Sequence, residues 1–310
     1  MLAVKVIQHQ GIEVIGITFE TPFFSADKAV AAARRTSVEL LVFDITQEHL
    51  MMLRAPRHGY GRNMNPCIDC HALMLKVAGD KMQALGASFL ITGEVLGQRP
   101  MSQTGQSLQV VAKQSGYPGY ILRPLSAKLL PETIPEKEGW VNRDSLLDIQ
   151  GRGRKRQMEL AEHFGINEYS NPAGGCLLTD PIFSRRLKDL FKYHSNFEIR
   201  DIELLKSGRH LRLSDHTKII VGKNEKDNIA IEKLQKSQDI ALNARDYPGP
   251  IVLIPGGGDP ADLEMAASIC ARYSDAAKEP GATIEFTQNS THRIIQIKPA
   301  DPDEVSKLMI

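Results

Sequence analysis

Cysteine is scarce in this chain, with 4 in 310 residues. So few cysteines exclude a disulfide-rich secreted scaffold. Long apolar runs are also missing, since none approaches the ~18 residues that a membrane-spanning helix needs. Residues 1–10 lack the apolar core of a signal peptide because Lys5, Gln8 and Gln10 interrupt it. We therefore expect a cytoplasmic protein with no membrane partner.

Net charge is nearly absent, with 38 basic residues against 37 acidic ones. This balance excludes a global attraction to nucleic acid, so any such attraction must come from local clusters. An apolar share of 42% with 24% charged residues is ordinary for a soluble globular protein. A chain of this length is long enough for two domains, each with its own core.

The first half of the chain alternates apolar strands with amphipathic helices. This pattern predicts an α/β fold with a doubly wound parallel sheet, whose ligands bind at the carboxyl ends of the strands. The predicted helices are 2–10, 26–36, 68–85 and 105–114, and the predicted strands are 12–19, 39–46, 88–95 and 120–125.

The second half has a different pattern, which predicts a smaller α+β domain. Residues 180–191 have the spacing of an amphipathic helix, and 198–234 alternate like strands with a hairpin turn at "SDHT". Residues 249–275 read as a strand, a Gly-rich turn and a helix, and 282–300 as two strands. We therefore predict domains at residues 1–177 and 178–310.

The segment "LITGEVLGQRPMSQT" (90–104) is a strand that enters a glycine-containing polar loop. Alone, it could be a simple turn. With "ILRPLSAK" (121–128) behind it, it resembles the PP-loop ATP-pyrophosphatase family of tRNA sulfurtransferases, with 4-thiouridine synthases closer than 2-thiouridylases. The resemblance covers about residues 1–177 and implies an adenine nucleotide alpha hydrolase-like fold that uses ATP and Mg²⁺. It implies that the ATP-binding residues are Gly93, Glu94, Gln98 and Gln103, with Phe19 at the end of an earlier strand.

The SGGxDS loop of that family does not occur in this sequence. The opening "MLAVKVIQHQGIEVIGITF" looks like the segment that would follow the loop. We therefore expect the chain to be N-terminally truncated or mis-started, and a protein without this pyrophosphate-binding loop to be inactive.

Three of the cysteines lie in loops that suggest chemistry. Cys67 and Cys70 form a CxxC in "NPCIDCH", and Cys176 follows Gly174 and Gly175, which allow close backbone approach. The residues alone leave open a zinc site with His58 or His71 as fourth ligand, a thioredoxin-like redox pair, and persulfide chemistry at Cys176. The resemblance implies a fourth reading, a [4Fe-4S] cluster held by the three cysteines with one iron open to carry sulfide, and this reading is favoured. The remaining cysteine, Cys270, falls on an apolar helix face and is expected in the core.

Basic residues cluster in two places. The segment "GRHLRLSDHTKIIVGKNEKDN" resembles the NFACT-type RNA-binding domain, over about residues 180–310. Such clusters make phosphate contacts that bind RNA without reading its sequence, although solvated basic faces are the simpler alternative. The predicted RNA-binding residues are Arg152, Arg154, Lys155 and Arg156 in "GRGRKRQ", and Arg209, Arg212 and Lys223 in the second domain.

The predicted function is ATP-dependent thiolation of a tRNA uridine. Adenylation of a uridine carbonyl would be followed by sulfur transfer at Cys67, Cys70 and Cys176, with tRNA and a sulfur donor (sulfide or a persulfide carrier) as partners. The alternative is a non-catalytic RNA-binding protein with a structural Zn²⁺ or cluster and a degenerate ATP site.

Overall fold

The computed structural model of the chain describes residues 1–169, 175–289 and 291–310. The chain forms two compact units, Met1–Thr179 and Asp180–Ile310. The sequence pattern predicted the boundary two residues earlier, after residue 177. Among the described residues, every helix is too short or too polar to cross a membrane.

The first unit mixes helices with parallel strands. Its elements are α1 (Leu2–Gln8), β1 (Gly16–Glu20), α2 (Asp27–Thr36), β2 (Leu40–Asp44), α3 (Thr46–Arg54), α4 (Cys67–Met82), β3 (Leu90–Ile91), α5 (Gly105–Gln114), β4 (Ile121–Leu122), α6 (Ile134–Lys137) and α7 (Lys155–His163).

The strands of the first unit form two parallel pairs. Strand β1 pairs with β2, with Gly16 opposite Leu40, and β3 pairs with β4, with Leu90 opposite Ile121. Within the described ranges the two pairs form separate two-stranded sheets, and residues of both β1 and β3 line one cavity of about 880 Å³. The α/β composition is therefore observed, whereas one continuous doubly wound sheet stays a prediction.

Apolar side chains of helix α1 pack into the core of the first unit. The apolar stripe of α1 is buried, with Ile7 only 1% exposed, and packs in one cluster with Val95, Leu122 and Leu146. Burial of each such side chain stabilises the fold by about 1.5–3 kcal/mol. Helix α5 has the predicted bounds because the Thr104 hydroxyl accepts the Ser107 N–H at 3.1 Å and caps its first turn.

The second unit contains helices around an antiparallel sheet. Its elements are α8 (Pro181–Tyr193), α9 (Ile199–Leu204), β5 (Arg209–Arg212), β6 (Lys218–Val221), α10 (Glu225–Lys233), β7 (Ile240–Ala244), β8 (Val252–Ile254), α11 (Pro260–Tyr273), β9 (Ala282–Gln288), β10 (Thr291–Ile297) and α12 (Pro302–Lys307).

The six strands follow the order β10-β9-β7-β8-β6-β5. Helix α11 contributes Ile269 and Cys270, both fully buried, to a core cluster with Leu242 and Ile284. The prediction that Cys270 is a core residue is thus confirmed.

The strand prediction for 198–234 is wrong at both ends, where α9 and α10 lie. Side-chain capping explains both helices. Glu198 and Asp201 form a capping box at α9, and the Asn224 side chain accepts the Asp227 N–H at 2.9 Å at the start of α10.

A buried carboxylate ties three segments of the second unit together. Asp239 is fully buried and forms an ion pair with Arg200. It also accepts the backbone N–H groups of Lys236 at 2.7 Å and of Gly256 at 2.9 Å. The Gly-rich turn that follows β8 is therefore held by a side chain that precedes β7.

We predict that Asp239→Ala destabilises the protein by about 3–5 kcal/mol, because the Arg200 charge and two N–H groups lose a buried partner. Urea unfolding of the full chain, followed by far-UV circular dichroism, measures this loss. Asp246→Ala is the matched control, since Asp246 is exposed. Equal losses in the two variants would contradict the anchoring role.

Candidate functional site

The CxxC motif opens α4, and its geometry depends on a buried carboxylate between the two cysteines. Asp69 is 2% exposed and accepts the backbone N–H of His58 at 2.9 Å and the Gln114 side-chain amide at 3.0 Å. Its other close partner is His58 Nδ1, at 3.0 Å. Burial alone would raise the pKa of Asp69, but these hydrogen bonds lower it below its usual range. The Asp69 carboxylate therefore links the loop that contains His58, helix α4 and helix α5 next to Cys67 and Cys70.

The third cysteine reaches the same region through backbone contacts. The Leu177 N–H donates to the Phe23 carbonyl at 2.9 Å, and the Asn63 side-chain amide donates to the Thr179 carbonyl at 2.7 Å. Gly175 has a φ of +104°, which an L side chain rarely adopts. A Cβ there would lie 3.0 Å from Lys28 Nζ. Gly174, the other glycine predicted to allow close approach, lies outside the described residues.

The three thiols interact electrostatically. Burial, and then the charges that Cys176 and Cys67 would carry, raise the pKa of Cys70 far above its usual range. Burial also raises the pKa of Cys176, and Cys67 adds to this rise. Thiols that oppose each other's ionisation in this way favour a positively charged or electrophilic partner.

A histidine that the sequence analysis did not identify lies against this group. His49, on α3, is fully buried, and its Nε2 is 3.6 Å from Cys70 Sγ. The rings of Phe23 and Phe24 lie 5.4 and 5.5 Å from its ring. Burial lowers the pKa of His49 to about 4, so the ring is neutral at physiological pH. No local motif marks His49, because only folding brings it to Cys70.

The two histidines considered as zinc ligands face carboxylates instead. His58 Nδ1 is 3.0 Å from Asp69, and His71 Nδ1 is 3.0 Å from Glu94. Within the described residues, no group of three His, Cys, Asp or Glu side chains stands at metal-ligand spacing.

The comparisons with known families agree with this division of the chain. Residues 7–129 match the family model described as "Thiamine biosynthesis protein (ThiI)", and residues 208–309 match "NFACT protein RNA binding domain". The chain joins a ThiI domain to an NFACT RNA-binding domain. This confirms both predicted resemblances. The ThiI match points to tRNA thiolation, and the NFACT match points to RNA binding.

Comparisons with individual proteins add little. No curated protein matches the chain. Nine chains of solved structures match. One of them is the C-terminal part of the fibronectin/fibrinogen-binding protein from Streptococcus suis, with 14% identity over 78% of this chain and 96% of that chain. Its TM-score of 0.31 is too low to support an argument about the fold.

The ThiI domain brings two of the predicted ATP-binding residues into one cavity. Gly93 and Gln98 line a cavity of about 260 Å³ together with Arg154 and Tyr169. Gln98 also donates a 3.0 Å hydrogen bond to the Gln157 side chain. Arg154 is one of the predicted RNA-binding residues, but in the structure it lines the same cavity as the predicted nucleotide-binding residues Gly93 and Gln98.

The other predicted ATP-binding residues lie elsewhere. Phe19 lines the larger cavity beside β1 and β3. Gln103 is 5% exposed and organises the loop, since its carbonyl accepts the Gly97 N–H at 2.7 Å. Its side-chain oxygen is buried and has no hydrogen-bond partner among the described residues.

The Glu94 carboxylate is buried and forms hydrogen bonds and ion pairs with neighbouring side chains. Its carboxylate lies 3.0 Å from both His71 Nδ1 and Arg123 Nε, and the Thr92 hydroxyl donates to it at 3.1 Å. Burial would raise the pKa of Glu94, but the His71 hydrogen bond and the Arg123 charge outweigh it and lower the pKa to about 2. This network ties α4 to the loop after β3.

The predicted RNA-binding residues of the first unit differ in exposure. Arg152 and Lys155 are exposed, and Lys155 lies 4.0 Å from Glu159. Arg156 is paired with Asp148 at 2.7 Å, and Arg154 lies 5.8 Å from the Tyr169 ring. Arg152 and Lys155 are therefore the most accessible cations of this segment.

The predicted RNA-binding residues of the NFACT domain also differ in exposure. Arg212 is largely buried, contacts Asp189 at 2.5 and 3.1 Å, and lies over the Tyr193 ring at 4.3 Å. Arg209 lies 4.8 Å from the Tyr273 ring. Lys223 is exposed and is 3.8 Å from Asp227, so it is accessible to a phosphate.

We predict that Glu94→Gln removes much of the acid sensitivity of the fold. Because the pKa of Glu94 falls from 4.5 to about 2 on folding, its charge stabilises the fold above pH 4.5. This contribution, about 3 kcal/mol, is lost as the pH falls through 2.

The free energy of unfolding, measured with urea between about pH 5 and pH 2, should therefore decline less in Glu94→Gln than in the wild type. Glu138→Gln, at an exposed position, is the control and should keep the wild-type slope. A Glu94→Gln curve parallel to the wild type would show that the network is not formed.

Proposed function

We propose that the protein is an ATP-dependent tRNA sulfurtransferase that thiolates a uridine carbonyl. The observation that supports the proposal is that Cys176 lies close enough to Cys67 and Cys70 in the first unit to interact with them electrostatically, although only the first two are close in sequence. The family description names thiamine biosynthesis, but the NFACT domain favours RNA as the substrate.

The proposed reaction has two steps. A uridine carbonyl oxygen attacks the α-phosphorus of ATP, and pyrophosphate leaves with Mg²⁺ neutralising its charge. A sulfur nucleophile then attacks the activated ring carbon, the carbon–oxygen bond breaks, and AMP leaves. The product is a thiocarbonyl, and the sulfur comes from sulfide or from a persulfide carrier.

The nucleotide is assigned to the cavity of Gly93 and Gln98. Backbone at Gly93 allows close approach, since a Cβ there would meet no atom within 4 Å. Arg154 supplies a positive charge in the same cavity, which suits a phosphate. Gln103 is outside the lining of this cavity, and its buried side-chain oxygen, in the loop that follows Gly97, has no hydrogen-bond partner among the described residues.

The cysteines are assigned to sulfur handling. Three cysteine thiols are the donor type that a [4Fe-4S] cluster takes, and bound iron would stabilise as thiolates Cys70 and Cys176, whose pKa is raised by burial and by the neighbouring thiols. Within the described residues the three thiols do not stand at metal-ligand spacing, so donor type, and not geometry, supports the cluster. When bound, such a cluster would carry sulfide on its open iron, and Cys67, Cys70 and Cys176 would hold it. Zn²⁺ is the alternative ion for the same donors.

A metal-free route uses the same residues. A persulfide on Cys176 would attack the activated carbon with its terminal sulfur. A second thiolate, Cys67 or Cys70, would then attack the Cys176 sulfur, release the thiolated uridine and form a disulfide. An external thiol must reduce that disulfide before the next turnover.

We predict that Cys67→Ala, Cys70→Ala and Cys176→Ala each lower tRNA thiolation at least about 100-fold, because each removes one of three cooperating sulfurs. The assay combines purified protein, tRNA, Mg-ATP and sulfide, and measures thiolated nucleosides by mass spectrometry. Cys270→Ala, in the core of the other unit, should retain activity.

Two results would contradict the proposal. Wild-type activity in the three variants would exclude the cysteine site. A protein that binds tRNA but never thiolates it, both with the sequence as given and with an SGGxDS loop added before Met1, would favour the non-catalytic alternative. Anaerobic purification with iron, sulfide and zinc assays separates the sulfur routes, since a colourless protein with stoichiometric zinc excludes the cluster.

We predict that Lys155→Ala and Lys223→Ala each reduce the salt dependence of tRNA binding. Loss of one phosphate contact lowers the slope of log K against log salt by about 0.7–0.9. Fluorescence anisotropy between 50 and 200 mM salt, roughly the range in which phosphate contacts dominate, measures the slope. Lys137→Ala, exposed on α6, is the control, and slopes equal to this control would remove these lysines from the RNA interface.

A further inference from the structure

His49 lies at the cysteine site, and the proposed reaction assigns it no role. Its ring is fully buried beside the rings of Phe23 and Phe24, and Cys70 Sγ lies 3.6 Å from its Nε2. A polar ring in such surroundings is costly to bury unless a partner compensates it.

The other ring nitrogen indicates where the proton lies. His49 Nδ1 is buried and has no hydrogen-bond partner within the described residues. A neutral imidazole carries one N–H donor and one bare acceptor nitrogen. An unpaired buried N–H is rarer in proteins than an under-satisfied acceptor, so the bare nitrogen belongs at Nδ1. The N–H is then on Nε2, which faces the Cys70 sulfur.

The sulfurs of Cys67 and Cys176 also have hydrogen-bond donors beside them. The Asn65 side-chain amide donates to Cys67 Sγ at 3.2 Å. Backbone N–H groups of Leu178 and Thr179 hydrogen-bond to Cys176. Donors directed at sulfur stabilise the thiolate form that binds metal or attacks a substrate. With His49 at Cys70, every sulfur of the trio has such a donor.

We propose that His49 is a positioning residue that donates its Nε2–H to the Cys70 sulfur and does not bind a metal itself. A metal-bound histidine almost always donates its other ring N–H to an acceptor, and Nδ1 of His49 has none among the described residues. This role rests on the proposed function, in which Cys70 is one of the three cysteines that handle sulfur.

Imidazole ¹⁵N NMR of the reduced, metal-free full chain tests the proposal without any activity. Two-bond ¹⁵N–¹H correlations identify which nitrogen carries the proton, and the His49→Gln spectrum assigns the His49 signals. We expect His49 as the Nε2–H form, with its Nε2 signal shifted in Cys70→Ala.

His58 and His71 are internal references, because their Nδ1 atoms face carboxylates and should carry a proton. An Nδ1–H form of His49, or a His49 signal insensitive to Cys70→Ala, would overturn the proposal.

A second comparison separates hydrogen bonding from packing. His49→Gln keeps a side-chain N–H donor, whereas His49→Leu fills the space without one. We expect His49→Leu to lower thiolation about 10–100-fold, as the loss of an outer hydrogen bond does at other sulfur and metal sites, and His49→Gln to recover most of it. Equal activities at equal thermal stability would overturn the positioning role.

The two measurements also distinguish this inference from the proposed function. If the protein does not thiolate tRNA with or without the added loop, the enzyme proposal fails while the ¹⁵N spectrum still decides the His49 proton. If thiolation depends on the cysteines but His49 is the Nδ1–H form, only the present inference fails.

Discussion

The carboxylate of Asp69 is the contact on which the cysteine site depends. It lies in the first turn of α4, between Cys67 and Cys70, and takes hydrogen bonds from His58 and Gln114. Gln114 is the last residue of α5, which begins directly after the polar loop that contains Gly93 and Gln103. The buried Asp69 carboxylate therefore fixes the CxxC motif relative to α5, the helix that follows the predicted nucleotide-binding loop. A buried carboxylate with several donors is costly to disrupt, which makes this arrangement rigid.

Local patterns in the sequence predicted much of this arrangement. The bounds of α5 follow from its apolar spacing and the Thr104 cap, and α4 begins at the predicted CxxC. The grouping of Cys176 with the CxxC rested on its glycine-containing loop and on family resemblance, because the 105 residues between Cys70 and Cys176 carry no signal of their own. Helices α9 and α10 were missed because their apolar residues alternate over short stretches, and their capping side chains decided the outcome.

Side-chain partners were the part that the sequence could not supply. Glu94 was expected at ATP but is bound by Arg123 and His71, while Phe19 lines a different cavity from Gly93. Arg212 was expected at RNA but pairs with Asp189. A charged residue in a motif gives no indication of the counter-charge that folding places beside it. His49 was overlooked for the same reason, since the cysteine that its ring contacts is 21 positions away in the sequence.

The distance along the chain between Cys70 and Cys176 has a consequence for the order of assembly. Closing a loop of that length has an entropic cost that is offset only by the contacts of a folded domain. The CxxC pair, in contrast, closes within one helical turn. During synthesis the first two thiols are thus together long before the third arrives. An oxidant present at that stage would join Cys67 to Cys70, so reducing conditions during folding of the first unit would favour assembly of the proposed three-cysteine site.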